Sequence, residues 1–184
     1  MKKRMALLAL VGILYAVRKP IQQFSPADAM TLLCDGQQTA DLAHLDKPFR
    51  KKIDRILQTL SEEGYAYTVS STYRSPQRQQ CLYDISQHIK KYTGQQGFTS
   101  TTKSCHNNLR KGQPASLAID VHIHNTSMER KVQFYKRLRD LSVESGLVSG
   151  GNFRKSNPVW AHYGLGWDPG HIQQANCKSK LRTS

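Results

Sequence analysis

The second half of the chain holds the side chains best suited to catalysis. Ser104-Cys105-His106 lies in a polar segment, and Asp168-Pro169-Gly170-His171 lies near the C-terminus. Asp120 lies within an apolar strand-like segment, where a carboxylate is costly unless it is paired or bound to a metal. Two histidines and an aspartate offer the ligand set that leaves one position on a catalytic zinc open for water. A second carboxylate, Asp168, lies three residues before His171, where it can act as a general base.

The elements that must position these side chains are mixed helices and strands without regular alternation, which predicts an α+β fold. Gln95–Ser116 is polar and is predicted to be a long loop. Apolar spacing, capping residues and β-forming runs predict the other elements. The predicted strands are Ala66–Thr72, Leu117–His124, Leu147-Val148 and His171-Ile172. The first predicted helix has Phe49, Ile53, Ile56, Leu57 and Leu60 on one face, and the second runs from Ser75-Pro76 to Gly94 with Leu82, Ile85 and Ile89 on one face. The third runs from Ser127 to Gly146, with Val132, Tyr135, Leu138 and Leu141 directed inward.

The N-terminus has the pattern of an export signal. A basic start is followed by the uncharged apolar run Met5–Val17 and by Arg18-Lys19-Pro20. Residues 1–20 are therefore predicted to be a cleaved signal peptide or a retained membrane anchor, and the protein is expected in the periplasm or cell envelope. Residues 21–46 are predicted to be a connector, with a short helix around Ala27–Cys34. Residues 47–184 are predicted to form the catalytic domain.

Charge and cysteine content agree with an exported protein. The 184 residues carry a formal net charge of +14, which favours a polyanionic partner such as nucleic acid, an anionic lipid surface or an acidic wall polymer. The basic runs Arg50-Lys51-Lys52 and Lys178–Arg182 are interpreted as solvated surface that can attract such a polymer. Four scattered cysteines allow two disulfides in three connectivities, in an oxidising compartment.

Four short motifs resemble those of a known family. They are Tyr73-Arg74-Ser75, Ser104-Cys105-His106, Ala118-Ile119-Asp120 and Asp168-Pro169-Gly170-His171. In this order they resemble the zinc peptidoglycan peptidases, which include D-Ala-D-Ala carboxypeptidases and phage L-alanyl-D-glutamate endolysins and share the hedgehog/D,D-peptidase fold. Gly146-Leu147-Val148-Ser149-Gly150-Gly151 is similar to an element of the endolysin-like members.

The resemblance implies a role for each matching residue. His106, Asp120 and His171 would bind Zn²⁺, and Asp168 would be the catalytic base. Arg74 would steady the substrate carboxylate or the developing oxyanion. Tyr73 and Ser104 would shape the pocket or the ligand shell. Apart from the resemblance, Trp167, immediately before Asp168, is also predicted to bind substrate. The implied substrate is a peptidoglycan stem peptide, cleaved by D,D-carboxypeptidase or L-alanyl-D-glutamate endopeptidase activity, and a monomer is expected.

The sequence departs from the family at one place. Asn107–Ile119 separates His106 from Asp120, where the family has a short gap, and Ser116 stands where a glycine is expected. His122 and His124 share the strand face of Asp120 at a period of two and are alternative ligands. Two rival functions are a wall-binding domain without turnover and a nucleic-acid-binding protein or nuclease. No nucleic-acid-binding motif is recognisable, so nucleic acid is not the expected partner.

Overall fold

The structure is a computed structural model that describes residues 34–94, 97–153 and 158–177. The predicted segment 1–20 and the predicted helix up to residue 33 lie outside these ranges, as does the basic run at 178–182. Short 3₁₀ turns lie at Leu42–His44, Cys105–Asn107 and Gly150–Asn152. The helices are α1 (Lys47–Glu62), α2 (Pro76–Thr93), α3 (Met128–Glu144) and α4 (Pro158–Ala161), and the strands are β1 (Tyr67–Ser71), β2 (Leu109–Arg110), β3 (Gln113–Pro114), β4 (Ala118–Ile123), β5 (Leu147–Ser149) and β6 (His171–Gln174).

A four-stranded antiparallel sheet organises the domain. Its strand order is β1-β4-β6-β5, so β4 lies between β1 and β6. The register places Asp120 of β4 opposite Ser71 on one side and His171 on the other. Because paired residues of neighbouring strands project to the same face, this register brings Asp120 and His171 together. The α+β fold predicted from the sequence is confirmed.

Helices α1 and α3 cover one face of this sheet and form the core with it. The five apolar residues predicted for α1 are all buried, and Pro48 and Gly64 lie at its two ends as expected. Alternate residues of β4, Ile119, Val121 and Ile123, join the same core. A fully buried aliphatic side chain stabilises a fold by roughly 1.5–3 kcal/mol, so this face fixes the orientation of β4. Asp120 and His122 therefore project from the opposite face.

Helix α2 has the predicted ends but a different inner face. Ser75 caps its first turn, and Gly94 ends it in the left-handed conformation at φ 71°. Leu82 is buried, whereas Ile85 is only half-buried. The other buried residues of the helix are Gln79 and Ser86, so its inner face is partly polar.

The polar segment after α2 contains structure that the sequence did not predict. Cys105–Asn107 forms a 3₁₀ turn, and β2 and β3 form a small hairpin. Lys111 and Gly112, the turn residues, both have positive φ, at 53° and 75°. Such a turn normally carries Asn-Gly or Asp-Gly. The Lys-Gly pair lacks this signal, so the sequence does not predict the hairpin.

Disulfides and strand-like pairing attach residues 34–46 and the C-terminal segment to the rest of the domain. All four cysteines are paired, as Cys34–Cys81 and Cys105–Cys177, which confirms the prediction of two disulfides and selects one connectivity. Residues 34–46 also pair with the domain through Gln38 and Leu45. None of the helices in the described part of the chain has the length and hydrophobicity of a membrane span.

Candidate active site

His106 is held by the turn that carries it. Ser104 caps this turn: its hydroxyl accepts from the His106 backbone N–H at 3.3 Å, and its own N–H donates to Asn107 Oδ1 at 2.8 Å. His106 is 2% exposed, and its Nδ1 lies 2.7 Å from the Thr72 carbonyl oxygen. A carbonyl only accepts, so Nδ1 donates and Nε2 faces the site.

Asp120 links both histidines. Its Oδ2 lies 3.3 Å from His106 Nε2, and its Oδ1 lies 2.8 Å from His171 Nδ1. The other ring nitrogen of His171 lies 3.1 Å from Gln173 Oε1. One donor atom from each of His106, Asp120 and His171 lies within 4.8 Å of the others. The structure thus brings together three residues that are far apart in the sequence.

This arrangement fits a divalent metal ion. Two imidazole nitrogens and one carboxylate oxygen form a catalytic zinc donor set. The outer nitrogens of His106 and His171 are engaged by Thr72 O and Gln173 Oε1, as the histidine ligands of metals usually are. The inner nitrogens converge on the Asp120 carboxylate.

The charges of the cluster shift its pKa values. Burial alone would raise the pKa of Asp120, but the charges and hydrogen bonds of His106 and His171 hold it well below its ordinary value. Burial alone would lower the pKa of His171, but the hydrogen bond and negative charge of Asp120 raise it to about 9. Without metal, the Asp120–His171 pair is therefore ionised at neutral pH.

Asp168 lies beside the cluster in the turn before β6. Burial, followed by the negative charge of Asp120, raises the pKa of its carboxyl group. Glycine makes this position possible, because a Cβ at Gly150 would lie 1.9 Å from the Asp168 carbonyl oxygen. The Gly-Gly element therefore lets the backbone after β5 approach the turn that carries Asp168.

Arg74 supplies a cation on the other side of Asp120. Its Nη2 lies 3.7 Å from Asp120 Oδ2, and its Nη1 donates to Gln79 Oε1 at 2.9 Å. Burial lowers the pKa of the guanidinium, although the charge of Asp120 opposes this. Among the described residues, the buried side-chain atoms without a hydrogen-bond partner are Arg74 Nε and Ser71 Oγ. Ser71 is the cross-strand neighbour of Asp120, so both atoms belong to the surroundings of the cluster.

The other residues that the sequence predicted for the site lie in different surroundings. Tyr73 is 5% exposed, and its ring makes a T-shaped contact with the His44 ring. Trp167 is half-buried, immediately before Asp168. His122, the alternative ligand, lies outside the three-residue group, with its Nδ1 3.3 Å from the Tyr135 hydroxyl. His124 is exposed.

Three residues that contact the cluster or Arg74 were not predicted from the sequence. Thr72 engages His106 through its backbone, which no side-chain pattern reveals. Gln173 lies two residues after His171 on the same strand, and the period of two could have indicated it. Gln79 lies three residues before Leu82 on the inner face of α2, a spacing that could have marked it as buried.

Among the comparisons with known proteins, a solved structure supports the fold. No protein-family model and no curated protein sequence matches the chain. A solved structure described as VanYB in complex with D-Alanine-D-Alanine does match, with a TM-score of 0.50 and 16% sequence identity, over 80% of this chain and 82% of that chain. The chain therefore has the fold of VanYB, as the family resemblance predicted.

Two further solved structures match with lower scores. One is a mutant of the vancomycin resistance D,D-pentapeptidase VanY from the VanB-type resistance cassette in complex with Zn(II), with a TM-score of 0.45 and 18% identity over 83% of this chain and 87% of that one. The other is the LdcB LD-carboxypeptidase, with a TM-score of 0.44 and 16% identity over 76% of this chain and 64% of that one.

Proposed function

We propose that the protein is a zinc-dependent peptidase that hydrolyses peptide bonds in peptidoglycan stem peptides. The observation that carries this proposal is the cluster of His106, Asp120 and His171, whose donor atoms converge beside Asp168 and Arg74. The fold shared with VanYB supports the assignment but does not by itself specify a function.

His106 Nε2, His171 Nδ1 and one Asp120 oxygen would hold the ion. A bound Zn²⁺ would supply Lewis acidity, which polarises a carbonyl group and lowers the pKa of water. The Thr72 carbonyl and Gln173 Oε1 would orient the two imidazoles through their outer nitrogens.

Asp168 would be the general base. Its carboxylate would accept the proton of the attacking water molecule and deliver it to the nitrogen of the leaving amine. Burial and the charge of Asp120 raise its pKa, and a base whose pKa is closer to the working pH returns the proton more easily. The close approach of Gly150 would fix the backbone that carries this carboxyl group.

Arg74 would bind the negative charge of the substrate. The Arg74 side chain is 13% exposed, so the accessible part of its guanidinium could donate a hydrogen bond to a substrate oxygen. This oxygen would belong to the substrate carboxylate or to the oxyanion that develops at the scissile carbonyl. Tyr73, Ser104 and Trp167 would complete the pocket or its supporting shell.

The substrate class and location rest on the sequence motifs and on VanYB. VanYB was solved with D-Ala-D-Ala, a dipeptide of the same chemistry as a stem-peptide terminus. Two disulfides suit an oxidising compartment, and the envelope is where such a substrate occurs. The net charge of +14 would favour retention near an anionic wall polymer or lipid surface.

Digestion of purified muropeptides tests the proposal. The zinc-loaded full chain is incubated with several stem-peptide types, and the products are identified by mass spectrometry. We expect new fragments that a chelator abolishes and whose masses identify the cleaved bond. The Asp168→Asn variant is the matched control, expected to bind zinc and to release fragments at least about 10²-fold more slowly. Absence of fragments from the folded, zinc-loaded protein would refute the proposal, and saturable DNA binding at physiological salt would favour the nucleic-acid alternative.

A further inference from the structure

Gln79 is a fully buried amide in contact with the proposed site. It lies in the first turns of α2, where glutamine is normally solvated, yet it is 0% exposed. Its Oε1 accepts from Arg74 Nη1 at 2.9 Å. Its Nε2 donates to Thr99 Oγ1 at 2.9 Å and to the Thr101 carbonyl at 2.7 Å. One acceptor and both donors of the amide are therefore engaged.

These contacts determine which way the amide points. The Thr101 carbonyl only accepts hydrogen bonds, so the NH₂ group of Gln79 must face it. The reversed amide would place the NH₂ group against the guanidinium of Arg74, which only donates. The carbonyl oxygen of Gln79 is thus directed at Arg74 by groups outside the proposed site.

The hydrogen bond between Gln79 and Arg74 also affects Asp120, a proposed metal ligand. Arg74 Nη2 lies 3.7 Å from Asp120 Oδ2, which is beyond hydrogen-bond distance. In a region of low exposure, a free guanidinium is drawn into a close two-point pair with a carboxylate. Such a pair would occupy Asp120 oxygens that face His106 and His171.

We propose that Gln79 is the positioning residue for Arg74. It keeps the guanidinium separated from Asp120, so that the carboxylate stays available to a metal ion, and it holds the cation in place for a bound substrate anion. The kinetic part of this inference rests on the proposed peptidase function, whereas the part about Asp120 requires only metal binding.

The chain offers a matched control in the same helix. Ser86 Oγ accepts from the Thr99 backbone N–H at 3.0 Å and donates to the Leu82 carbonyl at 2.7 Å. Ser86 therefore anchors the same loop as Gln79, from the same buried face of α2, without contacting Arg74. The Ser86→Ala variant loosens the loop and leaves the guanidinium held.

The test compares Gln79→Met, which keeps the length of the side chain and removes its hydrogen bonds, with Ser86→Ala. Zinc affinity is measured by chelator competition, in the presence and absence of a second change, Arg74→Ala. We expect Gln79→Met to weaken zinc binding roughly tenfold, in the range found for outer-shell substitutions, and Ser86→Ala to have no such effect. In the Arg74→Ala background, Gln79→Met should have no further effect, because no guanidinium is left to pair with Asp120.

Steady-state kinetics supply the second readout. With saturating zinc, Gln79→Met should lower kcat/KM for a stem peptide roughly tenfold, and less than about twofold in the Arg74→Ala background. Equal losses in both backgrounds, or equal losses for Gln79→Met and Ser86→Ala, would overturn the positioning role. If the wild-type chain cleaves no muropeptide, the peptidase proposal fails, and the zinc measurements still decide the role of Gln79. Thermal unfolding of each variant verifies that it is folded.

Discussion

A proton competes with zinc at His171, which predicts a steep pH dependence of zinc affinity. In the absence of metal, His171 Nδ1 lies 2.8 Å from Asp120 Oδ1, and its Nε2 lies 3.1 Å from Gln173 Oε1. Both ring nitrogens therefore donate, and the pKa of His171 is raised to about 9. An imidazolium has no lone pair for a metal, so zinc binding at Nδ1 must release this proton.

The pKa of His171 determines how strongly the zinc affinity depends on pH. At pH 7, two units below the pKa of about 9, roughly one molecule in 100 has a neutral His171. The apparent dissociation constant of zinc should therefore fall about tenfold for each pH unit between 7 and 9, and level off above pH 9. Asp120 contributes no proton in this range, because its pKa is held well below the ordinary value.

Calorimetry with a competing chelator tests this pH dependence of zinc binding. Titrations between pH 6.5 and 10, in buffers of different ionisation enthalpy, give the affinity and the number of protons released. We expect about one proton from His171 for each zinc bound at pH 7. In the metal-free Asp120→Asn variant, which lacks the negative charge, an NMR titration should give His171 a lower pKa than in the metal-free wild type. A zinc affinity independent of pH in the wild type would refute the proton competition.

The same pKa predicts how the metal-free fold responds to pH. A histidine with a raised pKa stabilises the folded state fully below its unfolded value of about 6.5, and this contribution is lost as the pH rises through the folded pKa. With the folded pKa at about 9, urea denaturation with chelator should show a loss of at most about 3 kcal/mol between pH 6.5 and 9.5. His171→Gln should remove this part of the pH dependence; an unchanged profile would contradict it.

Three further variants test the surroundings of the cluster. Asp168→Asn should lower kcat by roughly 10²–10⁴-fold in a peptide-hydrolysis assay while zinc affinity stays the same; comparable activity would exclude it as the base. Replacing Cys105 and Cys177 by alanine should reduce the free energy of unfolding by about 2–5 kcal/mol and weaken zinc binding, because the bond joins the turn of His106 to the segment after β6. Gly150→Ala should cost roughly 1–3 kcal/mol and lower kcat, because its Cβ would displace the Asp168 backbone; unchanged urea denaturation and kcat would show that the turn can move freely.

Local patterns in the sequence determined most of the elements. The spacing of Phe49, Ile53 and Leu60 encodes the buried face of α1, because side chains three and four apart share one side of a helix. The alternation over 117–124 encodes β4 in the same way, with a period of two. Ser75 and Gly94 mark the ends of α2 through capping chemistry that involves only neighbouring residues.

Tertiary pairing decided what the local patterns left open. The register of β6 against β4 places His171 beside Asp120, and no local signal specifies a register between segments so far apart. The separation of His106 from Asp120 in the sequence left His122 as an alternative ligand. The capped turn at 105–107 and the unpredicted hairpin after it return the chain so that His106, and not His122, lies in the group.

The polar contacts of the site also depend on the tertiary structure and not on local sequence patterns. The sequence contains Gln79 and Thr72 in ordinary surroundings, and only the packing of α2 and β1 against the 97–107 segment gives them partners. The choice among three disulfide connectivities was likewise made by which cysteines the fold brings together. Periodicity and capping act within a few residues and are visible in sequence, whereas a site assembled from four segments depends on distances that only the folded chain defines.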